Sequence, residues 1–320
     1  MADVVCLGEL LIDFTSLSPG ASIVDTPGFE KNAGGAPANV AAGVARLGGS
    51  SAFLGMVGND EFGYFLSRTL ADCGVDVSGL RFSDKANTTL AFVALREDGE
   101  REFIFYRNPG ADMLYAPDDI NHEIASGCRI FYHGSISLMS PANREATIAA
   151  ASMAHQNGAL IICDPNIRLN LWHAKESARE AAILGVQSAD IAKVSEEELE
   201  FITGYSDILS GMKALRDLGP SRVIVTQGSA GCTYSWIEYN GTVTSEKQTV
   251  VDATGAGDAF IAGMIYRLTQ MSGSLDVLGH DNVRDMLSFA NTVAGLCVRN
   301  RGAIPATPTL NDVMVRGNII

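Results

Sequence analysis

The sequence lacks runs of basic residues and lacks the long apolar run that a membrane-spanning helix requires. Among its 320 residues, 37 are Asp or Glu and 23 are Lys or Arg, which gives a formal net charge of −14. An acidic chain without a basic patch is poorly suited to nucleic acid or to an anionic membrane surface. No apolar run approaches the roughly 20 residues of a membrane span. We therefore expect no nucleic-acid partner and no membrane partner.

Paired cysteines and a secretory leader are also missing. The six cysteines stand far apart in the chain: Cys6, Cys73, Cys128, Cys163, Cys232 and Cys297. None has the short spacing of a zinc-binding pair, and isolated cysteines are typical of a reducing compartment. Residues 1–5 contain no basic region followed by an apolar segment, which a signal peptide would have. These absences predict a cytoplasmic protein.

The apolar residues, 47% of the chain, form short strands that alternate with segments of helical length. We predict strands at residues 4–7, 51–57, 129–133, 159–163, 190–194 and 222–226. We predict helices at residues 37–47, 60–73, 141–157, 176–187 and 196–203. Nearly continuous apolar strands are typical of a parallel sheet that is buried on both faces. The predicted fold class is therefore α/β, a doubly wound and mostly parallel sheet flanked by helices, in one domain spanning residues 1–320.

One region breaks this alternation and predicts a small second sheet. Residues 88–96 and 101–106 flank the pair Asp98-Gly99, which is typical of a tight hairpin turn. The hairpin and the early strands together are interpreted as a β-sheet lid, with an edge extension or a dimer surface as alternatives. The lid would comprise two discontinuous segments, approximately residues 11–31 and 88–108.

A glycine-rich segment near the C-terminal end, residues 252–260, carries two glycines and two carboxylates into the start of a helix. The pair Asn240-Gly241 predicts a hairpin turn before it, and residues 248–251 predict the strand that enters it. Backbone N–H groups in the first helical turn form a site for an anion. Asp258 would place a carboxylate beside that anion, as activation of a hydroxyl for phosphoryl transfer requires. The alternative is an acidic helix cap.

A second glycine-rich segment, residues 32–39, also leads into a helix. Pro37 suits the first helical position, so Gly34 and Gly35 would form the turn. No Lys-Ser or Lys-Thr pair follows, which excludes a P-loop. Because the segment is uncharged and Asn39 offers an amide, it suits a neutral polyhydroxyl compound better than a phosphate. A plain turn into a helix is the alternative.

Polar side chains follow several predicted strands, where open α/β sheets bind ligands. Asp13 ends an apolar run, and a carboxylate there can accept hydrogen bonds from two adjacent sugar hydroxyls. Residues 164–168 and 193–198 follow two later strands, and a glutamate in the second segment could orient a hydrated magnesium ion. The alternatives are a surface carboxylate, a polar turn and acidic residues that complement a helix dipole.

Small residues late in the chain offer a surface for a nucleotide. Thr226, Gly228 and Gly231 would let a ligand lie against the backbone after a strand. Asn291 belongs to a small-residue face that suits an adenine or simply another helix. Arg107, at the end of the predicted hairpin, is either a cation at the rim of the lid or a solvated surface residue.

The order of these segments resembles the ribokinase-like (PfkB) family of sugar kinases over nearly the whole chain. The N-terminal match comprises residues 34–40, 47–49 and 57–63, and the C-terminal match comprises residues 252–260. Within the family, the chain is most similar to fructokinases. Three stretches carry that similarity: residues 99–103, residues 105–109 with 111–114, and residues 164–168 with Leu171 and Trp172.

The resemblance implies ATP-dependent phosphorylation of the 6-hydroxyl of D-fructose, with Mg²⁺ and in some relatives K⁺, and a homodimer formed through the lid. It implies a catalytic group with Asp258 as general base and the amides of Gly255, Ala256 and Gly257 as an anion hole. The implied sugar-binding residues are Asp13, Gly34, Gly35, Asn39, Arg107 and Arg168. The implied nucleotide-binding residues are Lys193, Thr226, Gly228, Gly231 and Asn291. Glu198 would act on Mg²⁺ through water, and Asp252 would help to bind a monovalent cation.

Two departures from the family pattern and two rival functions accompany this resemblance. Ser195 stands where many relatives have Asn, and Ala253 stands where many have Thr. A 2-keto-3-deoxygluconate kinase shares the Asp-x-Asn-x-Arg stretch, and its acidic substrate would use Arg107 or Arg168. A non-catalytic sugar- or nucleotide-sensing protein is the rival of another class, but it would not need Asp258.

Overall fold

The computed structural model describes residues 1–18, 20–95, 101–271 and 278–316. The strands in these ranges are β1 (Val4–Leu7), β2 (Leu11–Ser16), β3 (Phe29–Gly34), β4 (Ser51–Gly58), β5 (Leu80–Ser83), β6 (Leu90–Leu95), β7 (Arg101–Tyr106), β8 (Ile130–His133), β9 (Leu160–Cys163), β10 (Ile191–Ser195), β11 (Arg222–Thr226), β12 (Cys232–Trp236) and β13 (Tyr239–Val243). The α-helices are α1 (Ala36–Arg46), α2 (Glu61–Asp72), α3 (His122–Ser126), α4 (Pro141–Gln156), α5 (Lys175–Gln187), α6 (Glu196–Thr203), α7 (Ile208–Leu218), α8 (Ala256–Gln270), α9 (His280–Cys297) and α10 (Leu310–Arg316). None of the described helices is long and apolar enough to cross a membrane.

The larger sheet has the order β13-β12-β11-β10-β9-β8-β1-β4-β5 within the described residues. Its strands run parallel from β5 to β11, and only β12 and β13 are antiparallel. Alternate residues of β1 enter separate cores: Val4 and Cys6 pack with α1, α8 and α9, whereas Val5 and Leu7 pack with α4. The predicted doubly wound α/β fold is confirmed, and the six predicted strands lie within about two residues of their predicted bounds. Strands β5, β12 and β13 were not predicted.

The smaller sheet has the order β3-β2-β6-β7. The two strands of the predicted hairpin pair antiparallel, with Leu90 opposite Tyr106, although the predicted Asp98-Gly99 turn lies outside the described residues. One face of this sheet lines a cleft above the larger sheet, and Phe14 and Phe92 stack on the other face. A second small sheet therefore exists where the sequence predicts it.

The predicted turn at Asn240-Gly241 is wrong. Both residues lie inside β13, and the chain turns between Trp236 and Tyr239, which pair directly. Gly241 lies opposite Tyr234, and a Cβ there would stand 2.5 Å from the phenol oxygen. Glycine is needed at this position to let an aromatic ring pass, and not to turn the chain.

The predicted strand at residues 248–251 is also wrong. The N–H of Val251 donates to the carbonyl of Val298 at the end of α9, at 2.8 Å, and no strand pairs with this segment in the described part of the chain. Val250 is 61% exposed, so its β-branched side chain does not pack on a sheet. The segment is a loop that ties the C-terminal end of α9 to the N-terminal end of α8.

Candidate active site

A cleft of about 520 Å³ lies between the smaller sheet and the carboxyl ends of the central strands. Most of the predicted site residues line it: Asp13, Gly35, Asn39, Arg107, Arg168, Lys193, Asp252, Gly255, Ala256, Gly257 and Asp258. The other predicted residues lie outside its lining: Gly34, Glu198, Thr226, Gly228, Gly231 and Asn291. Residues from both ends of the chain therefore meet in one place.

The first turn of α8 presents bare backbone to this cleft. Gly255 adopts a left-handed conformation with φ 77°, and a Cβ there would stand 2.7 Å from the Cβ of Ala303. At Gly257, by contrast, the only neighbour that an added Cβ would have within 4 Å outside its own helix, among the described residues, is the Nζ of Lys193, at 3.3 Å. Because first-turn N–H groups have no acceptor further back in their helix, they are available to an anion.

Asp258 lies in the same turn and is 9% exposed. Its Oδ2 accepts a hydrogen bond from Nδ2 of Asn39 at 2.8 Å, which joins α8 to α1 across 219 positions of sequence. Burial raises the pKa of the Asp258 carboxyl, the Asn39 hydrogen bond lowers it, and the charge of Asp164 raises it again. Arg168 and Lys193 lower this pKa. The carboxylate is therefore oriented and partly desolvated, as a general base requires.

Lys193 places a positive charge beside the first turn of α8. Its Nζ lies 2.9 Å from Oδ2 of Asp164, and both side chains are buried. Burial lowers the pKa of Lys193, but the charges of Asp164 and Glu198 outweigh burial and the pKa is raised. The ammonium group therefore stays charged next to the bare backbone at Gly257.

Asp13 faces Asp258 from the smaller sheet, where it pairs with Asn32 in the strand register. Burial raises the pKa of Asp13 to about 6, while Arg168 lowers it and Asp258 raises it. A side chain on Gly34 would collide with this carboxylate. Gly34 thus gives Asp13 its space instead of lining the cleft itself.

Arg107 is buried, and not a rim cation. Its Nη2 and Nε lie 2.6 and 2.9 Å from Oδ2 of Asp112, so its charge is compensated within the protein. Arg168 is exposed in the cleft, and within the described residues it makes only a long bond, 3.3 Å, to the carbonyl of Ile167. Of the two predicted cations, Arg168 is the one whose charge faces the open cleft.

Glu198 and Ser195 form a reciprocal cap at the start of α6. Oε2 of Glu198 accepts from the N–H of Ser195 at 2.9 Å, and Oε1 accepts from the N–H of Ile167 at 2.7 Å. Burial and the charge of Asp164 raise the pKa of Glu198, whereas Lys193 lowers it. Ser195 thus fills a capping role at the position where many relatives have Asn.

The described residues contain no cluster of three His, Cys, Asp or Glu side chains that could hold a metal ion. Mg²⁺ keeps most of its waters and needs few protein carboxylates, so a single oriented carboxylate such as Glu198 fits that ion through water. Asp252 is committed to the backbone: Oδ1 accepts from the N–H of Thr254 at 2.9 Å and Oδ2 from the N–H of Gly302 at 3.0 Å. This carboxylate thereby holds two loops together at the edge of the cleft.

Four of the five predicted nucleotide residues lie together at the end of the larger sheet, whereas Lys193 lies in the cleft. Thr226 ends β11, and Gly228 and Gly231 both have positive φ, 55° and 102°. Nδ2 of Asn291 donates to the carbonyl of Val243 at 3.2 Å, and a side chain on Gly231 would collide with that carbonyl. The small face of α9 is thus packed against the loop after β13.

Sequence reasoning missed Glu9, which lines the cleft and is 3% exposed. It lies between β1 and β2, inside an otherwise apolar run of residues 4–12. A carboxylate in such a run is the pattern that could have revealed it, because charged residues are almost never fully buried without a purpose.

Two glycine turns open neighbouring helices at one cleft, and the Asp258 carboxylate of one helix is hydrogen-bonded to Asn39 of the other. This arrangement defines a kinase-like site on an α/β fold. Residues 1–310 match the pfkB family carbohydrate kinase description, and the chain belongs to this family. The predicted family resemblance is confirmed.

Named relatives include a plant protein and two bacterial structures. The probable fructokinase-6, chloroplastic, of Arabidopsis thaliana is 47% identical over 313 residues, which cover 97% of this chain and 81% of that protein. The fructokinase from Xylella fastidiosa with bound ATP superposes with a TM-score of 0.91 at 33% identity, covering 100% of both chains. A fructokinase double mutant from Vibrio cholerae O395, bound to fructose, ADP and a potassium ion, gives a TM-score of 0.88 at 33% identity and 98% coverage of both chains.

Proposed function

We propose that the protein is an ATP-dependent fructokinase that phosphorylates the 6-hydroxyl of D-fructose. The observation that carries this proposal is the hydrogen bond between Asn39 and Asp258. This hydrogen bond holds a buried carboxylate between two turns. The turn at Gly35 has hydrogen-bond acceptors beside it, which suit a sugar. The turn at Gly255 offers hydrogen-bond donors, which suit a phosphate. The fructokinases among the relatives support the choice of sugar.

The chain's own residues account for the chemistry. Asp13, Gly35 and Asn39 hold the sugar with its 6-hydroxyl toward Asp258. Asp258 takes the hydroxyl proton while the hydroxyl oxygen forms a bond to the γ-phosphorus of ATP and the bond to the leaving ADP oxygen breaks. The amides of Gly255, Ala256 and Gly257, with Lys193, hold the charge on the transferring phosphoryl oxygens.

The remaining roles concern the nucleotide and the ions. Thr226, Gly228, Gly231 and Asn291 border the nucleotide, and Arg168 contacts the sugar or the transferring phosphate. Glu198 would hold a hydrated Mg²⁺ through water, and the bound ion would neutralise charge on the phosphates. Asp252 keeps the loops around a monovalent cation such as K⁺ in place.

The named fructokinases favour fructose over 2-keto-3-deoxygluconate. Asp112 already compensates the charge of Arg107, so Arg168, whose charge faces the open cleft, is the cation that a substrate carboxylate would meet. Asp258 and the bare turn at Gly255 likewise favour a catalyst over a sensing protein.

A substrate panel tests the function. ADP release is measured with fructose, ribose, 2-keto-3-deoxygluconate and adenosine at equal concentration. We expect the highest kcat/KM with fructose and a product phosphorylated at carbon 6. A preference for the keto acid would replace the proposed substrate, and absence of turnover with every acceptor would favour the sensing protein.

We further propose that residues 11–31 and 88–108 form a lid that closes over the sugar and joins two copies into a homodimer. Phe103 and Phe105 stack on the cleft side of the smaller sheet, and Phe103 remains 37% exposed. Exposed aromatic surface of this kind supports an interface between copies. Sedimentation of the wild-type protein and of Phe103→Asp tests the dimer. A cytoplasmic location accords with six free cysteines in the described residues, and cell fractionation tests it.

A further inference from the structure

Glu9 lies where the chain first leaves the larger sheet for the smaller one, between β1 and β2. Its Oε1 accepts a hydrogen bond from the N–H of Ala36 at 3.0 Å. Ala36 is the first residue of α1, where the chain has just returned from the smaller sheet. One oxygen of the Glu9 carboxyl group therefore connects the segment between β1 and β2 with the start of α1.

The other oxygen of Glu9, Oε2, is buried and has no hydrogen-bond partner in the described part of the chain. Several other buried side-chain atoms in the described residues also lack a hydrogen-bond partner. One of them belongs to a residue that lines the cleft, and it is Oδ1 of Asn39. The orientation of Asn39 is fixed because its Nδ2 donates to Asp258. An unsatisfied buried polar atom costs about 1–3 kcal/mol, so two such acceptors in one wall indicate a ligand that brings donors.

Within the described residues, no side chain donates a hydrogen bond to Oε2 of Glu9. Arg107 contributes a favourable charge, but its guanidinium is engaged by Asp112. A side chain at Gly35 would collide with the carbonyl of Glu9, so the bare backbone of Gly35 lies against that carbonyl. Burial raises the pKa of Glu9 to about 7, while hydrogen bonds from the backbone N–H groups of Glu9 and Ala36 lower it, Arg107 lowers it and Asp112 raises it. A hydroxyl group suits this position, because it can donate to the ionised carboxyl or accept from the protonated one.

We propose that Glu9 is a sugar-binding residue whose free oxygen forms a hydrogen bond with a hydroxyl of the bound acceptor, while its other oxygen holds Ala36. This inference rests on the proposed function and adds a contact to the same site. Binding of the sugar would thereby be coupled to the Gly34 and Gly35 turn at the base of the smaller sheet.

The variant Glu9→Gln distinguishes the roles of the two carboxyl oxygens. Its amide oxygen can still accept from Ala36, whereas its NH₂ group replaces the free acceptor, so a purely structural role predicts no change. We expect the Kd for fructose, measured by calorimetry without nucleotide, to rise about 10-fold, and the KM for fructose to rise in parallel. The KM for ATP and the Tm should stay close to those of the wild type.

Glu180→Gln is the matched control, because Glu180 is exposed on α5 and does not line the cleft. It should bind fructose as the wild type does. Glu9→Asp, which withdraws the carboxyl group by one methylene, is the second variant and should also weaken fructose binding. If a folded Glu9 variant binds fructose with the affinity of the wild type, the proposed contact between Glu9 and the sugar is wrong. Failure of the wild-type protein to bind fructose would overturn the proposed function instead.

Discussion

The turns that begin α1 and α8 are built alike but present opposite hydrogen-bonding groups to the cleft. Each has a glycine of positive φ at its start, Gly35 with 106° and Gly255 with 77°. Next to Gly35 lie two buried acceptors, on Glu9 and Asn39, that have no hydrogen-bond partner among the described residues. Next to Gly255 lie first-turn N–H groups and, beside them, the ammonium group of Lys193.

This difference shows that the neighbours of a glycine turn, and not the turn itself, determine which ligand it suits. Acceptors match the hydroxyls of a sugar, whereas amides and an ammonium group match the oxygens of a phosphate. Asn39 and Asp258 connect the two turns through one hydrogen bond. In the proposed reaction, the hydroxyl meets the phosphorus atom at this point.

Removal of the proposed base, Asp258, should have the largest effect on turnover. In Asp258→Asn, the new side-chain oxygen can still accept from Asn39, so the two turns stay joined but the base is lost. We expect kcat to fall by at least about 100-fold, within the range of positioned acid–base groups, while the Kd for fructose changes little. Steady-state kinetics and calorimetry measure the two quantities.

Asp285→Asn, at an exposed position on α9, is the control and should retain wild-type turnover. Wild-type turnover in Asp258→Asn would remove Asp258 from the mechanism and leave it as a helix-terminal carboxylate.

A methyl group on the phosphate side should have the next largest effect. Gly257 lies in the helix, and its added Cβ would meet only Nζ of Lys193, at 3.3 Å. In Gly257→Ala we expect kcat/KM for ATP to fall about 10-fold, because the methyl group lies in front of the amides. The Tm should not fall, since Ala is favoured over Gly within a helix by about 0.5–1 kcal/mol.

Gly255→Ala provides the contrast, because a Cβ there would stand 2.7 Å from the Cβ of Ala303 in a left-handed conformation. That variant should lose about 1–3 kcal/mol of stability, measured by urea unfolding. The distinction between the two glycines would be refuted if both variants lost stability equally.

The smallest expected effect concerns pH. Arg168 lowers the pKa of Asp258, so its removal raises that pKa. Because Asp258 must be ionised to accept a proton, the acid limb of kcat/KM reports its pKa. In Arg168→Gln the acid limb should therefore move to higher pH. Lys213→Gln, at an exposed position on α7, should leave the profile in place. A limb that stays fixed or moves to lower pH in Arg168→Gln would contradict the charge contact.

Six of the nine strands of the larger sheet were predictable because burial on both faces leaves a continuous apolar run, and this pattern is local. The turn at Gly241 was not, because glycine serves there to pass the ring of Tyr234 in the neighbouring strand. The loop at Val250 was not predictable either, because its partner is the end of a helix some 50 positions later. A rule that considers only nearby residues cannot include such contacts.

The residues of the site likewise differ in whether the sequence reveals them. The glycine turns and Asp258 were visible because their residue types are rare in combination. The pairing of Arg107 with Asp112 depends on how the chain folds back after β7. Glu9 was hidden because its importance lies in an oxygen that no neighbour satisfies, and sequence does not show which atoms lack a partner.

The hydrogen bond between Asn39 and Asp258 also has a consequence in time. A ribosome adds about 5–20 residues per second, so the 219 positions that separate the two residues correspond to roughly 10 to 40 s of synthesis. During that interval the emerging chain has the sugar side of the cleft, but the partner that orients Asn39 is not yet made. A nascent chain should therefore neither hold a sugar firmly nor consume ATP until its last quarter has folded.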